Sequence, residues 1–222
     1  MDNTVKGNLR AGTAQEGIIR PVLVSSVLFM LVTGIGYPLI TTVAAKAMFS
    51  DQAEGSLIVK DGNIIGSTVI GQNFTKPQYF HPRPSVTVGT DPNDPSKTVD
   101  QPYNAALSGA SNQGPISKKL IDSVTERVKA YRDENGLAAD VAVPVDAVTA
   151  SGSGLDPDIS LANARLQAKR VAAARNLTEE KVLATIDSQI TPRQLGVLGD
   201  PRLNVLQLNM ALDALGSKQA AL

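Results

Sequence analysis

Residues 22–45 read VLVSSVLFMLVTGIGYPLITTVAA, a stretch of 24 positions without a charged side chain. As an α-helix it reaches roughly 36 Å, against a bilayer hydrocarbon core of about 30 Å, so it spans a membrane with some tilt. Arg20 precedes the run and Lys46 follows it. Gly34, Gly36 and Pro38 lie past its middle, where they predict a bend supported by neighbouring helices. Those three residues are candidate partner-interface positions, and Ser25 and Ser26 extend the small-residue surface available for close helix contact.

The competing reading is a secretory signal peptide, because Ala45-Lys46-Ala47 has the small-x-small form of a cleavage site. It would release a secreted small-ligand or nucleotide-binding protein. The apolar run exceeds the usual h-region of about 7–15 residues, which favours an uncleaved anchor. Lys6, Arg10 and Arg20 outnumber Asp2 and Glu16 before the run, whereas Lys46 is followed by Asp51 and Glu54. The positive-inside rule therefore predicts a cytoplasmic segment 1–21, a transmembrane helix 22–45 and an extracytoplasmic domain 46–222.

Composition narrows the chemistry of that domain. Lys plus Arg and Asp plus Glu stand at 21 each, so no basic field exists to gather nucleic acid. With no cysteine and a single histidine, disulfides, thiolate nucleophiles and Cys- or His-rich metal sites are excluded. The chain has no tryptophan and few other aromatics, so the core is aliphatic.

After the anchor, GSLIVKDGNIIGSTVIGQNF predicts a β-hairpin, with strands at 57–59 and 64–70 joined through Lys60-Asp61-Gly62-Asn63. Residues 75–115 are crowded with Pro, Gly, Asp, Asn and Ser, and form a long loop that must be functional or pinned by contacts. KKLIDSVTERVKAY predicts a helix with Leu120, Ile121, Val124, Val128 and Tyr131 on one face, Ser117 as N-cap and Gly136 as stop. VAVPVDAVTAS reads as an extended run broken by Pro144. LANARLQAKRVAAAR follows as a helix capped by Asp158 or Ser160, and TEEKVLATIDSQI as one capped by Thr178, with Glu179 and Glu180 placed favourably for the helix dipole. A last helix is expected over 204–215, ended by Gly216. The fold class is thus a single N-terminal transmembrane helix followed by an α+β extracytoplasmic domain: a small sheet or hairpin, several packed helices and a long Pro/Gly-rich loop.

Catalytic constellations fail on spacing. Ser153, His81 and Asp156 could nominate a triad, but Ser151-Gly152-Ser153-Gly154-Leu155 is not a G-x-S-x-G elbow. The same SGSG segment lacks the Gly-Lys-Ser/Thr ending of a P-loop and reads as a tight turn. Asp146, Asp156 and Asp158 lack the alternation of a calcium loop and read as capping groups. Arg165, Lys169, Arg170 and Arg175 read as a solvated helix face. YFHPRPS, residues 79–85, holds the only histidine. Without a paired nucleophile or metal co-ligand it reads as a rigid loop corner, with His81 and Arg83 as candidate partner contacts.

The succession GSLI, IGQNF, YFHPRPS, YNAALSGASNQGP, VPVDAVTASGSGLDPDIS, RVAAARNL and NVLQLNMALD resembles the C subunit of the Kdp-type potassium-transporting P-type ATPase, from the anchor to about Leu215. Pro82 stands where many relatives are expected to have glycine. The resemblance implies a four-subunit complex of the bacterial inner membrane. Its other members are a channel-like potassium-binding subunit, an ATP-hydrolysing P-type subunit and a small single-helix subunit. It also implies that this chain is non-catalytic: an accessory subunit needed for assembly, and a catalytic chaperone that raises the ATP affinity of the hydrolysing subunit. K+ would be carried by a partner and ATP would act at the level of the complex. The aspartyl-phosphate motif Asp-Lys-Thr-Gly-Thr does not occur here. Leu107-Ser108-Gly109-Ala110-Ser111-Asn112-Gln113 loosely echoes the LSGGQ signature of ABC ATPases, which makes Ser108, Gly109 and Gln113 nucleotide-binding candidates. An outer-face domain has no access to cytoplasmic ATP, so the predicted topology favours bracing of the potassium subunit over nucleotide contact.

Overall fold

The computed structural model describes residues 17–219. The chain divides into two units, the first ending at Gly55 and the second beginning at Ser56.

The first unit is one long apolar helix and a short cap. Helix α1 (Ile19–Leu31) runs through a π-helical turn (Val32–Gly36) into α2 (Tyr37–Met48), and a single turn, α3 (Ser50–Ala53), follows. The span Ile19–Met48 is 30 residues long, and its most apolar window is wholly unburied within the chain. The expected bend is a π turn for a stated reason: Pro38 has no N–H and its ring crowds the carbonyl four residues back. The helix widens there, and the Tyr37 N–H donates to the Val32 carbonyl, five residues back. Thr33 donates to the Phe29 carbonyl at 2.6 Å and Thr41 to the Tyr37 carbonyl at 2.9 Å, so these hydroxyls are satisfied without water.

In the second unit the predicted hairpin forms. β1 (Leu57–Lys60) pairs antiparallel with β2 (Asn63–Ser67). Asp61 and Gly62 both take positive φ, 51° and 78°, as the two-residue turn of a right-twisted hairpin requires. The second strand ends at Ser67 rather than Ile70, because the chain turns back on itself there: Ser67 bridges Ile70, and the Val69 N–H donates to the Ser67 hydroxyl at 3.2 Å. Within the expected loop a further ladder appears, β3 (Val88–Asp91) with β4 (Asp94–Asp100). Prolines 92 and 95 concealed it, yet in a two-stranded ladder every strand is an edge, where proline costs no interior hydrogen bond.

Helix α4 (Lys118–Asn135) follows and stops at Gly136, whose φ of 62° is left-handed. The stretch around Pro144 is a correction: residues Val145–Val148 form a helical turn, α5, which Pro144 opens rather than a strand it breaks. β5 (Asp158–Ser160) leads into α6 (Leu161–Arg175), with the Ser160 hydroxyl accepting from the Asn163 N–H. Helix α7 (Glu179–Ser188) is capped by Thr178. β6 (Arg202–Asn204) pairs antiparallel with β5 and opens α8 (Val205–Gln219), which runs through Gly216 rather than ending there.

The main core joins α6, α7, α8, β5 and β6. Ala164, Ala168 and Val171 face Val182, Ile186, Leu203, Leu208 and Leu212, and Phe80 is inserted among them. A smaller cluster of Tyr131, Ala147 and Val148 ties α4 to α5. The small alanines of α6 let its neighbours approach closely, which is how a chain poor in aromatics reaches interior density.

Candidate functional site

Segment 76–85 is held along its length by side chains from other elements. Phe80 N–H donates to Asn209 Oδ1 at 2.8 Å while Asn209 Nδ2 donates to the Phe80 carbonyl at 3.1 Å. His81 N–H donates to Gln167 Oε1 at 2.7 Å, and Gln167 Nε2 returns a bond to the His81 carbonyl at 3.1 Å. Two buried side-chain amides thus satisfy consecutive peptide groups as a neighbouring strand would. Arg170 donates to the carbonyls of Pro77 and Tyr79, and Arg175 to that of Gln78, with the Arg175 guanidinium also over the Tyr79 ring. Arg170 and Arg175 therefore do not lie on a solvated face; they fasten the strap to α6. Burial lowers the affinity of the Arg170 guanidinium for its proton, and nearby Glu134 opposes that shift.

His81 and Arg83 are both engaged within the chain. His81 Nδ1 lies 2.8 Å from Glu134 Oε1, and its Nε2 faces the Lys76 carbonyl at 3.1 Å. The hydrogen bond from His81 holds the Glu134 carboxyl below the usual carboxylate range. Arg83 pairs with Asp156 at 2.8 Å, and the Tyr103 hydroxyl donates to the Arg83 carbonyl at 2.9 Å. Burial pushes the Tyr103 phenol well above its ordinary value, so it remains a neutral donor there. The imidazole lies away from Ser153, whose hydroxyl instead accepts from the Leu155 N–H within its own turn. Among the described residues no three His, Cys, Asp or Glu side chains gather as a metal site.

Two of the nucleotide candidates, Ser108 and Gly109, meet at one acceptor, while Gln113 is engaged with Ser111 and Ser117. Ser108 Oγ and Gly109 N–H both donate to the Ser153 carbonyl, at 2.9 and 3.0 Å. Gln113 accepts from the Ser117 hydroxyl and donates to the Ser111 carbonyl. The donors that would cradle a phosphate are engaged by the SGSG turn, so this arrangement does not fit a phosphate cradle. Gly34 has open space where a side chain would stand, and at Gly36 a side chain would meet only the Leu31 carbonyl of its own span at 3.7 Å, so both leave bare backbone along the apolar helix.

A cleft of about 690 Å³ opens beside these residues. Its walls are α4, through Lys119, Ser123 and Arg127, the loop Ala110, Ser111 and Gln113, and Ser85 with Asp100, over a floor of Thr149 and Ala150. The apolar stripe of α4 drew attention in the sequence, and this polar one was missed. Its signal is the spacing of 119, 123 and 127, four residues apart on one helix face.

One helix long and apolar enough to cross a membrane, followed by a mixed domain of small ladders and packed helices, is the architecture of a class consistent with single-pass membrane subunits. The family model described as KdpC, the K+-transporting ATPase c chain, matches residues 19–214, and the chain belongs to this family. A potassium-transporting ATPase KdpC subunit of Bradyrhizobium diazoefficiens is 53% identical over 200 residues, covering 90% of this chain and 98% of the relative. The KdpC subunit of Rhodopseudomonas palustris strain BisB5 is 55% identical over 196 residues, 88% of this chain and 96% of its own. That of Mycobacterium bovis strain BCG is 50% identical over 195 residues, 88% and 97% respectively.

Proposed function

We propose that this chain is the accessory subunit of an ATP-driven potassium uptake complex of the bacterial inner membrane, anchored by residues 19–48 with the following domain on the outer face. It stabilises the assembly of the potassium-binding, ATP-hydrolysing and small single-helix subunits, and acts as a catalytic chaperone that raises the ATP affinity of the hydrolysing subunit. K+ is carried by the partner and phosphoryl transfer occurs in another chain. The observation that carries the reading is a 30-residue apolar helix, unburied within its own chain, joined to a domain of the KdpC family. The charge bias around the helix supports the outward orientation.

Bracing is favoured over direct nucleotide contact because Ser108 and Gly109 already donate to Ser153. An outer-face domain would act on ATP affinity through its partners, by binding one of their conformations better than another. The chain has no native cysteine, and Leu195 is 91% exposed. Leu195→Cys in the intact complex should therefore react with an impermeant thiol reagent in spheroplasts. Labelling only after membrane rupture would overturn the outward orientation. Removing residues 50–222 should abolish co-purification of the complex, and intact assembly and transport without them would overturn the bracing role.

A further inference from the structure

Lys119 and Arg127 face the same cleft, and neither has a carboxylate partner among the described residues. Arg127 is half-buried and uses one guanidinium nitrogen on the Val148 carbonyl at 3.2 Å, its one hydrogen bond among the described residues. Three other half-buried arginines of the domain are held by several groups or by a carboxylate: Arg83 pairs with Asp156, Arg170 donates to four acceptors and Arg175 pairs with Asp213. Ser111 and Ser123 line the same cleft. Between its lining residues in the chain stands Ile116, 91% exposed.

We propose that this cleft is a docking site for an acidic segment of a partner subunit, an Asp or Glu side chain of that segment seating between Lys119 and Arg127. Charge complementarity carries the assignment: two unpaired cations call for an anion, and a guanidinium with free donors matches a carboxylate fork. The choice of a carboxylate over a phosphate chain rests on two details. Asp100 lines the same cleft and repels a multiply charged group, and the neighbouring backbone donor of Gly109 is withdrawn onto Ser153. A single carboxylate needs only the two cations and the serine hydroxyls, and Ile116 offers an apolar contact to the flanking residues of the segment. The inference rests on the accessory-subunit reading.

The test uses the purified complex. Zero-length carbodiimide coupling should join the Lys119 amine to a partner Asp or Glu, identified by mass spectrometry of the cross-linked peptide. Arg127→Ala should weaken retention of the chain by about tenfold to a hundredfold, with a further loss as salt is raised. Lys119→Glu with Arg127→Glu should weaken it more, while Lys129→Glu, elsewhere on α4, should leave it unchanged. Circular dichroism and the thermal midpoint of each variant chain separate loss of docking from loss of fold. Retention unchanged in the folded charge-reversal variant, or no cross-link from Lys119, would overturn the proposal. Binding of ATP or inorganic phosphate that disappears in Arg127→Ala while retention is unaffected would also overturn it, in favour of a phosphate site. The accessory-subunit reading fails separately, if deleting the whole domain leaves assembly intact.

Discussion

Asn209 and Phe80 exchange two hydrogen bonds across 129 positions of sequence, the side-chain amide of one closing on the peptide groups of the other. Both residues are buried, and Phe80 anchors the strap within the main core. Asn209→Ala strands a buried N–H and a buried C=O at once. It should destabilise the full-length chain in detergent by about 2–5 kcal/mol, read as a fall in the urea midpoint. A loss below about 0.5 kcal/mol would mean that water replaces the amide.

The Glu134 carboxyl, held below its usual range by the His81 bond, has a definite pH signature. The unfolded chain binds this proton more readily than the folded one, so the contribution is complete above the unfolded value of about 4.3 and fades as pH falls through the lower folded value. The stability gap between the native chain and Glu134→Gln should therefore be largest near neutrality and shrink in acid. Urea midpoints at several pH values read it directly, and a gap constant down to strongly acidic conditions would contradict the assignment.

His81 joins the strap to α4 through Glu134, with its side chain only 18% exposed. His81→Gln removes that contact and keeps the backbone bonds to Gln167. Potassium-stimulated ATPase activity of the complex should persist, with a stability loss of about 1 kcal/mol. Abolished activity in a folded, assembled complex would restore the imidazole as a functional group.

Two glycines of one turn should respond differently. Gly154 has φ +68°, and a Cβ there would stand 2.6 Å from Thr87 Cγ2 and 2.8 Å from the Gly109 carbonyl, whereas Gly152 has nothing within 4 Å. Gly154→Ala should cost about 2–3 kcal/mol and Gly152→Ala should be close to neutral. Thermal midpoints of the pair decide whether the turn that engages Ser108 and Gly109 is set by this close approach.

What could be read in the sequence was local. The apolar span, the Asp61-Gly62 turn, the stop at Gly136 and the caps at Ser160 and Thr178 each depend on a few adjacent residues, and each is found. The misreadings share a distant partner. Val145–Val148 is a helical turn because Asp146 accepts from the Ser160 N–H and hydroxyl and from Asn163. The strand Asp158–Ser160 exists only through pairing with Arg202–Asn204. Arg170 and Arg175 looked solvated because their acceptors, the carbonyls of 77–79, lie nearly a hundred positions earlier. The Lys119–Arg127 cleft was equally hidden, since a basic stripe on a helix gives no sign of which walls fold against it.

The widened turn at Val32–Gly36 changes more than the local hydrogen bonds. One residue added to a helical turn rotates everything beyond it by about 100° around the axis. In an uninterrupted α-helix Thr41 would stand about 160° from Ser25 and about 60° from Ser26, whereas the added residue sets it about 60° from one and about 40° from the other, between the two serines. The widened turn thus puts hydroxyl side chains from both halves of the span on one side, where a single neighbouring helix would meet them all.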